Sequence, residues 1–360
     1  MIKAVIKKLT EGNDLSLEES SSLIDFIGDG YATPGQMAAF LTALKLKGET
    51  IDEITGFASK MRERALKINT IGIDNIVDSC GTGGDNTNTF NISTASAILA
   101  SSTGLHVAKH SNFGLTSKCG SSSVIEALGI PLVDSPEKVE ESLKTHNISF
   151  IHAPYFHKCT SYINIVRKDI GVRTVFNFLG PLTNPAKPTG QILGVALPEL
   201  CEKMTEALRN LGCKRALLVN GQNPVMDEIS ICGKTLVCRL ENGKIDKFEI
   251  HPEDFGFHEV KLNDIAGDTP SVNAKIIKDI FAGKIEGPKK EVLLLNSAAL
   301  LWAGYKADSI EHGIKIASET IESGMALKKL YKLQEVSKND DSSDQEYKEW
   351  LEQFVNNNNY

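Results

Sequence analysis

The stretch from Asp78 to Thr94, DSCGTGGDNTNTFNIST, narrows the possible folds more than any other part of this chain. Three glycines, two aspartates and six hydroxyl-bearing residues fall within its seventeen positions. Polar groups at that density make a costly core segment unless water or a ligand meets them, so the stretch is expected to face a ligand. Ile76-Val77-Asp78 reads as a strand end running into it. The small-residue segment ASAILASS after it reads as a helix, with Ser93 and Thr94 placed to cap it.

The same alternation continues downstream. Leu105–Ala108, Ile148–His152 and Ala216–Val219 are strand candidates, and helical candidates at 136–146 and 198–210 separate them, as in an α/β domain. A hairpin turn is expected at Asn242-Gly243 between 236 and 250, and helices at 272–282, 293–303 and 306–327. Upstream, residues 1–66 read as all helical. Ser16-Leu17-Glu18-Glu19 and Thr50-Ile51-Asp52-Glu53 fit capping boxes, and Thr33-Pro34-Gly35-Gln36 adds a proline at a first helical position. Residues 337–360 read as a polar break, then a weak terminal helix and a frayed end, with Trp350, Leu351 and Phe354 available for docking.

A length of 360 residues points to two domains or one domain with a helical annex. The net charge of -7 gives no support to a nucleic-acid or membrane-surface protein. The seven cysteines form no CxxC pair or regular framework, which favours a reducing, cytoplasmic location. No apolar run approaches the ~18 residues of a membrane span or reads as a signal peptide.

The polar loops are expected beyond strand ends, where open α/β sheets bind ligands. GTGGD at 81–85 matches neither the P-loop nor GxGxxG, but its glycines let backbone N–H groups approach an anion. Asn91, Ser93 and Thr94 add side-chain donors at a helix start. Lys109-His110-Ser111-Asn112 is expected as a loop after the strand at 105–108, with a lysine suited to phosphate; a solvated loop is the bland alternative. Residues 116–123 repeat the hydroxyl-rich composition. Asp227-Glu228 can hold Mg²⁺ beside phosphate, although such a pair is more often surface charge. Cys80, Cys119, His110 and His157 compose no zinc pattern or triad.

Taken in chain order, GTGGDNTNTFNIST, VAKHSNFGLTSKCGSS, EALG, VRKDIGVRTVFNFLGPLTNPA and MDEIS follow a helical N-terminus. On these motifs the chain resembles the anthranilate phosphoribosyltransferase family of tryptophan biosynthesis over nearly all of residues 1–335. The resemblance implies a nucleoside phosphorylase-like α/β fold: an N-terminal helical domain at 1–68 joined by helices from about 160–185, a domain at 70–335 with a mainly parallel sheet, and a polar tail at 336–360. It implies a homodimer, Mg²⁺, and transfer of a phosphoribosyl group from PRPP to anthranilate. Gly81, Gly84, Asp85, Thr89, Asn91, Ser93, Thr94, Lys109, Ser117 and Ser121 would line the PRPP site. Ser93, Asp227 and Glu228 match metal positions, and Gly81, Asn112 and Arg167 match anthranilate contacts.

The chain departs from the family pattern in three places. It has Ser111 and Phe113 where KHGNR has glycine and arginine, and Ser121-Ser122-Ser123 where Ser-Ala-Asp is common. These changes leave two alternatives open: glycosyl transfer to a different aromatic or base acceptor, and a non-catalytic regulatory or nucleic-acid-binding paralogue. No general base is expected, because an aromatic amine is already neutral near pH 7.

Overall fold

The computed structural model describes residues 1–112 and 119–338. Ser117, Phe113 and the expected terminal helix past Lys338 lie outside the described residues. The chain opens with α1 (Ile2–Thr10), α2 (Leu17–Gly28), α3 (Pro34–Lys47) and α4 (Ile51–Arg64). The last three each begin with a reciprocal capping box: Ser16 with Glu19, Thr33 with Gln36, and Thr50 with Glu53. Each cap stabilises its helix by about 1 kcal/mol. Glu53 also ties the helices together, since its buried carboxylate accepts from the Leu15 N–H at 2.9 Å and from Lys47 at 3.0 Å. Fully buried Phe40 and Phe57 meet edge to face at 6.0 Å.

The rest builds one seven-stranded sheet. In chain order come β1 (Val77–Gly81), α5 (Ile92–Ser102), β2 (Val107–Ser111), α6 (Ser121–Ala127), α7 (Pro136–His146), β3 (Ile148–His152), α8 (Ala153–Phe156) and α9 (Ser161–Ile170). Then follow β4 (Gly190–Gly194), α10 (Pro198–Asn210), β5 (Arg215–Gly221), β6 (Thr235–Glu241), β7 (Lys244–Ile250), α11 (Pro270–Phe281), α12 (Pro288–Ala303), α13 (Ile310–Glu322) and α14 (Met325–Lys338). The spatial order is β3-β2-β1-β4-β5-β6-β7; the first five strands pair in parallel and the last two add an antiparallel hairpin. Strand order reverses between β1 and β4, and crevices for ligands open at the carboxyl ends of strands at such a switch point.

Both faces of the sheet are covered, and alternate residues feed two cores. Val77, Ile192, Leu217 and Val219 pack with α5 and α12, whereas Cys80, Leu193, Ala216 and Leu218 pack with α10 and the N-terminal helices. Ile163 and Val166 place α9 in that second core, against α2 and α3.

Several elements differ from the sequence expectation. The second strand is Val107–Ser111, not Leu105–Ala108, so Lys109, His110 and Ser111 sit in a buried strand paired to β3 rather than in a loop. Polar side chains hid it; Lys109 is satisfied inside the fold by donating to the Ser79 carbonyl. Ser93 and Thr94 lie within the first turn of α5, and Asn91 is its N-cap without a side-chain capping bond. The single helix expected at 306–327 is two, α13 and α14, separated at Ser323-Gly324, where Gly324 has φ of 74°. The central strand β4 has no counterpart in the expected elements. The hairpin at Asn242-Gly243 is as expected: both residues have positive φ, 53° and 75°, which a two-residue type I′ turn requires.

Candidate active site

The switch point between β1 and β4 is where the glycine-rich loop begins. Gly81 at the end of β1 is level with Gly194 at the end of β4, and the loop between β5 and β6 drops Asp227 onto both. A β-carbon on Gly194 would lie 1.6 Å from the Asp227 carbonyl oxygen, and one on Gly81 would lie 2.3 Å from Asp227 Oδ2. Bare backbone at these two positions is what lets the acidic segment approach.

Hydrogen bonds then fix the loop around the carboxylates. The Gly83 N–H donates to Asp227 Oδ2 at 2.7 Å. Asp85 Oδ2 accepts from the Asp227 N–H at 3.3 Å and from Thr87 Oγ1 at 2.7 Å. Glu228 Oε1 accepts from Ser93 through both its N–H, at 3.1 Å, and its hydroxyl, at 2.5 Å. Glu228 therefore caps α5 from outside, where the helix N-terminus favours negative charge. Arg173 donates from the other side to the carbonyls of Gly83 and Gly84, at 3.2 and 3.4 Å.

Three carboxyl groups thus converge on one loop. Burial, followed by the charges of Asp85 and Glu228, holds the Asp227 carboxyl well above its ordinary range. Burial pushes Glu228 up to about 7 against the pull of its Ser93 bonds and of Lys109. The ammonium of Lys109 is the buried counter-charge here. Three carboxyl groups share this pocket and its donors are hard oxygens, so the residues fit a divalent cation such as Mg²⁺. Among the described residues no three His, Cys, Asp or Glu side chains form a complete cage. Asp227, Glu228 and the Ser93 hydroxyl make a partial donor set, which suits an ion that keeps water and phosphate ligands.

Other expected site residues surround this centre. Asn91 Oδ1 accepts from Asn273 at 3.0 Å and its amide donates to the Cys119 carbonyl at 3.3 Å, tying the loop to α11 and to the start of the Ser121 helix. Thr89 forms a bridge with Ala266, and Ser121 begins α6 partly exposed. Gly84 is partly exposed in the loop, and Asn112 is exposed beyond β2. Thr94 is fully buried in the first turn of α5, its hydroxyl without a partner among the described residues. Arg167, on α9, donates to Asn164 at 3.0 Å and lies 5.9 Å from the centre of the Phe176 ring; among the described residues no hydrogen bond joins it to Gly81 or Asn112.

Two of the departing serines are found together. Ser122 Oγ donates to Ser111 Oγ at 3.5 Å and lies 3.1 Å from His152 Nδ1, and Ser111 in turn donates to the Ile151 carbonyl. Ser111 sits in extended strand backbone, so replacing a glycine there demands no unusual φ. Sequence reasoning passed over Arg173 and Asn184, both inside quoted motifs. Asn184 donates to buried Asp78 at 2.9 Å and to the Ala108 carbonyl at 2.7 Å, and Asp78 accepts from the His110 N–H at 3.1 Å, pinning β1 to β2 beneath the loop. The nearby imidazoles are neutral: burial drives His110 well below its usual range, and His152 and His157 down to about 4.

Comparison with known proteins converges on one family. The glycosyl transferase family helical bundle domain matches residues 3–65, and the glycosyl transferase family a/b domain matches residues 73–327. The anthranilate phosphoribosyltransferase of Acetivibrio thermocellus is 47% identical over 330 residues, covering 92% of this chain and 95% of that protein. The enzyme of that name from Methanobrevibacter smithii is 46% identical, covering 92% and 98%. Among solved structures, anthranilate phosphoribosyltransferase from Thermus thermophilus superposes with a TM-score of 0.85 at 34% identity, covering 93% of this chain and 99% of that one. The Saccharomyces cerevisiae enzyme in complex with PRPP and Mg gives 0.85 at 29% identity, covering 94% and 98%.

Proposed function

This chain belongs to the anthranilate phosphoribosyltransferase family of glycosyl transferases, and from that membership we propose that it transfers the 5-phosphoribosyl group of PRPP to the amine of anthranilate, releasing pyrophosphate in tryptophan biosynthesis. The observation that carries the reading is the meeting of the Gly81–Asp85 loop with Asp227 and Glu228 at the sheet's switch point. Backbone N–H groups suited to phosphate and carboxylates suited to a cation lie within one loop's width.

Asp227, Glu228 and Ser93 would hold Mg²⁺, which when bound neutralises charge on the departing pyrophosphate. Gly81, Gly84, Asp85, Thr89, Asn91 and Ser121 belong to the wall against which PRPP is oriented, with Ser117 assigned by motif alone. Lys109 acts from within the fold, as the fixed positive charge behind Ser79 and Glu228. As the C1–oxygen bond breaks, positive charge develops on the ribose, and the amine attacks from the opposite face. Orientation and electrostatics carry the step.

Asn112 and Arg167 are assigned to the acceptor by motif, Arg167 because a guanidinium matches the geometry of the anthranilate carboxylate. The reading includes a homodimer and a cytoplasmic location. Exposed Tyr31, Tyr162 and Ile165 on the helical part support the first, as an apolar strip of the kind that partners cover. No described helix is long and apolar enough to cross a membrane. Arg167→Ala tests the acceptor assignment: use of anthranilate should fall far more than PRPP affinity, and the defect should shrink with aniline, which lacks the carboxylate. Equal losses with both acceptors in steady-state kinetics would give Arg167 another role.

A further inference from the structure

The family match stops at residue 327, yet α14 runs on to Lys338 and residues 339–360 follow it. One face of α14 borders a shallow recess of about 390 Å³, lined by Gly324, Leu327, Lys328, Tyr331, Lys332 and Glu335. Those positions follow the helical period, so a single stripe of the helix stands beside open space. The stripe is apolar in the middle and basic at its edges. Tyr331 is 44% exposed and Leu327 only partly buried, while Lys278 from α11 lies 5.3 Å from the centre of the Tyr331 ring. Among the described residues neither Lys328 nor Lys332 is paired with a carboxylate. Glu335 is the one acidic member.

The segment that follows is complementary in both respects. Between Asn339 and Tyr360 it carries six acidic residues and one lysine. Its apolar residues Tyr347, Trp350, Leu351 and Phe354 fall at the i, i+3, i+4, i+7 spacing of one helical face. Reach is sufficient: the residues from Lys338 to Trp350 can extend ~40 Å, whereas the stripe from Gly324 to Glu335 is ~17 Å long.

We infer that the outer face of α14 is the docking site of the chain's own acidic C-terminal segment, with Trp350 and Phe354 against Tyr331 and Leu327 and the acidic residues facing Lys328 and Lys332. The docked segment would cover apolar and basic surface that otherwise stays open to solvent.

The full chain contains two tryptophans, of which Trp302 is 5% exposed, so a Trp350→Phe variant isolates the Trp350 signal by difference. Acrylamide quenching of Trp350 should be weaker in the intact protein than in a synthetic peptide of residues 339–360, and equal from nanomolar to micromolar protein. Lys328→Glu/Lys332→Glu should lower the docked-to-free ratio by about tenfold or more, since two exposed attractions become repulsions. Quenching equal to that of the free peptide would overturn the inference. So would protection lost on dilution, which would assign the face to a second copy, or protection indifferent to the double charge reversal, which would place the segment elsewhere.

Discussion

Glu228→Gln should make the metal-free protein more stable, and only above a definite pH. The Glu228 carboxyl is raised from an ordinary 4.5 to about 7, chiefly by burial, so between those values the folded chain holds a proton that the unfolded chain releases. Stability therefore falls as pH rises through that window, and each unit is worth ~1.4 kcal/mol. The full penalty, reached above pH 7, is at most about 3 kcal/mol, because the carboxyl is only partly buried from solvent. Glutamine keeps the oxygen that accepts from Ser93 but carries no charge to desolvate. Urea midpoints in EDTA, measured from pH 4.5 to 8 on both proteins, should coincide at the acid end and separate progressively toward pH 8, with the variant the more stable. Adding Mg²⁺ should narrow the gap by stabilising the wild type alone. A difference that did not change with pH would refute the reasoning, for it would mean that the carboxylate is already well solvated or neutralised by Lys109.

Two further perturbations probe the same region. Gly194→Ala places a β-carbon against the main chain of Asp227 at 1.6 Å, an obstacle that no side-chain rotation relieves; the turnover of the folded protein should fall by about a hundredfold, and a near-normal rate would show that Asp227 need not sit there. His157 gives the opposite pH sign to Glu228. Burial lowers it from 6.5 to about 4, so stability is intact above 6.5 and is lost as pH falls toward 4. His157→Leu should flatten that acid limb by up to ~3 kcal/mol in urea titrations, and an unchanged limb would assign the loss to other groups.

What could be read from the sequence was what local chemistry determines. The capping boxes of α2, α3 and α4, the Asn242-Gly243 turn and the strand Ile148–His152 each carry their signal within a few residues. β4 does not: Gly190-Gln191-Ile192-Leu193-Gly194 is short and glycine-bounded, and it is a strand because its neighbours pair with it on both sides. Its glycines answer to tertiary neighbours as well, since a β-carbon at Gly190 would meet the Ala303 carbonyl at 2.4 Å. Lys109 looked like a loop cation because lysine is rarely buried, and only the fold supplies the Ser79 carbonyl and the carboxylates that permit it. In the site, Asp227 and Glu228 were nameable as a pair, but an acidic pair alone signals little. Their contact with Gly83 and Ser93, more than 130 positions upstream, arises from sheet topology. Arg173 was visible as a residue of VRKDIGVRTVF, yet nothing local distinguishes it from a surface arginine; its bonds to Gly83 and Gly84 do.

Incubating the purified protein with PRPP, anthranilate and Mg²⁺, and following pyrophosphate release beside loss of anthranilate, tests the transferase reading most directly. One pyrophosphate should appear for each anthranilate consumed, with neither change when PRPP or Mg²⁺ is left out. Pyrophosphate release that ignores anthranilate, or persistent inactivity of well-folded protein, would contradict it.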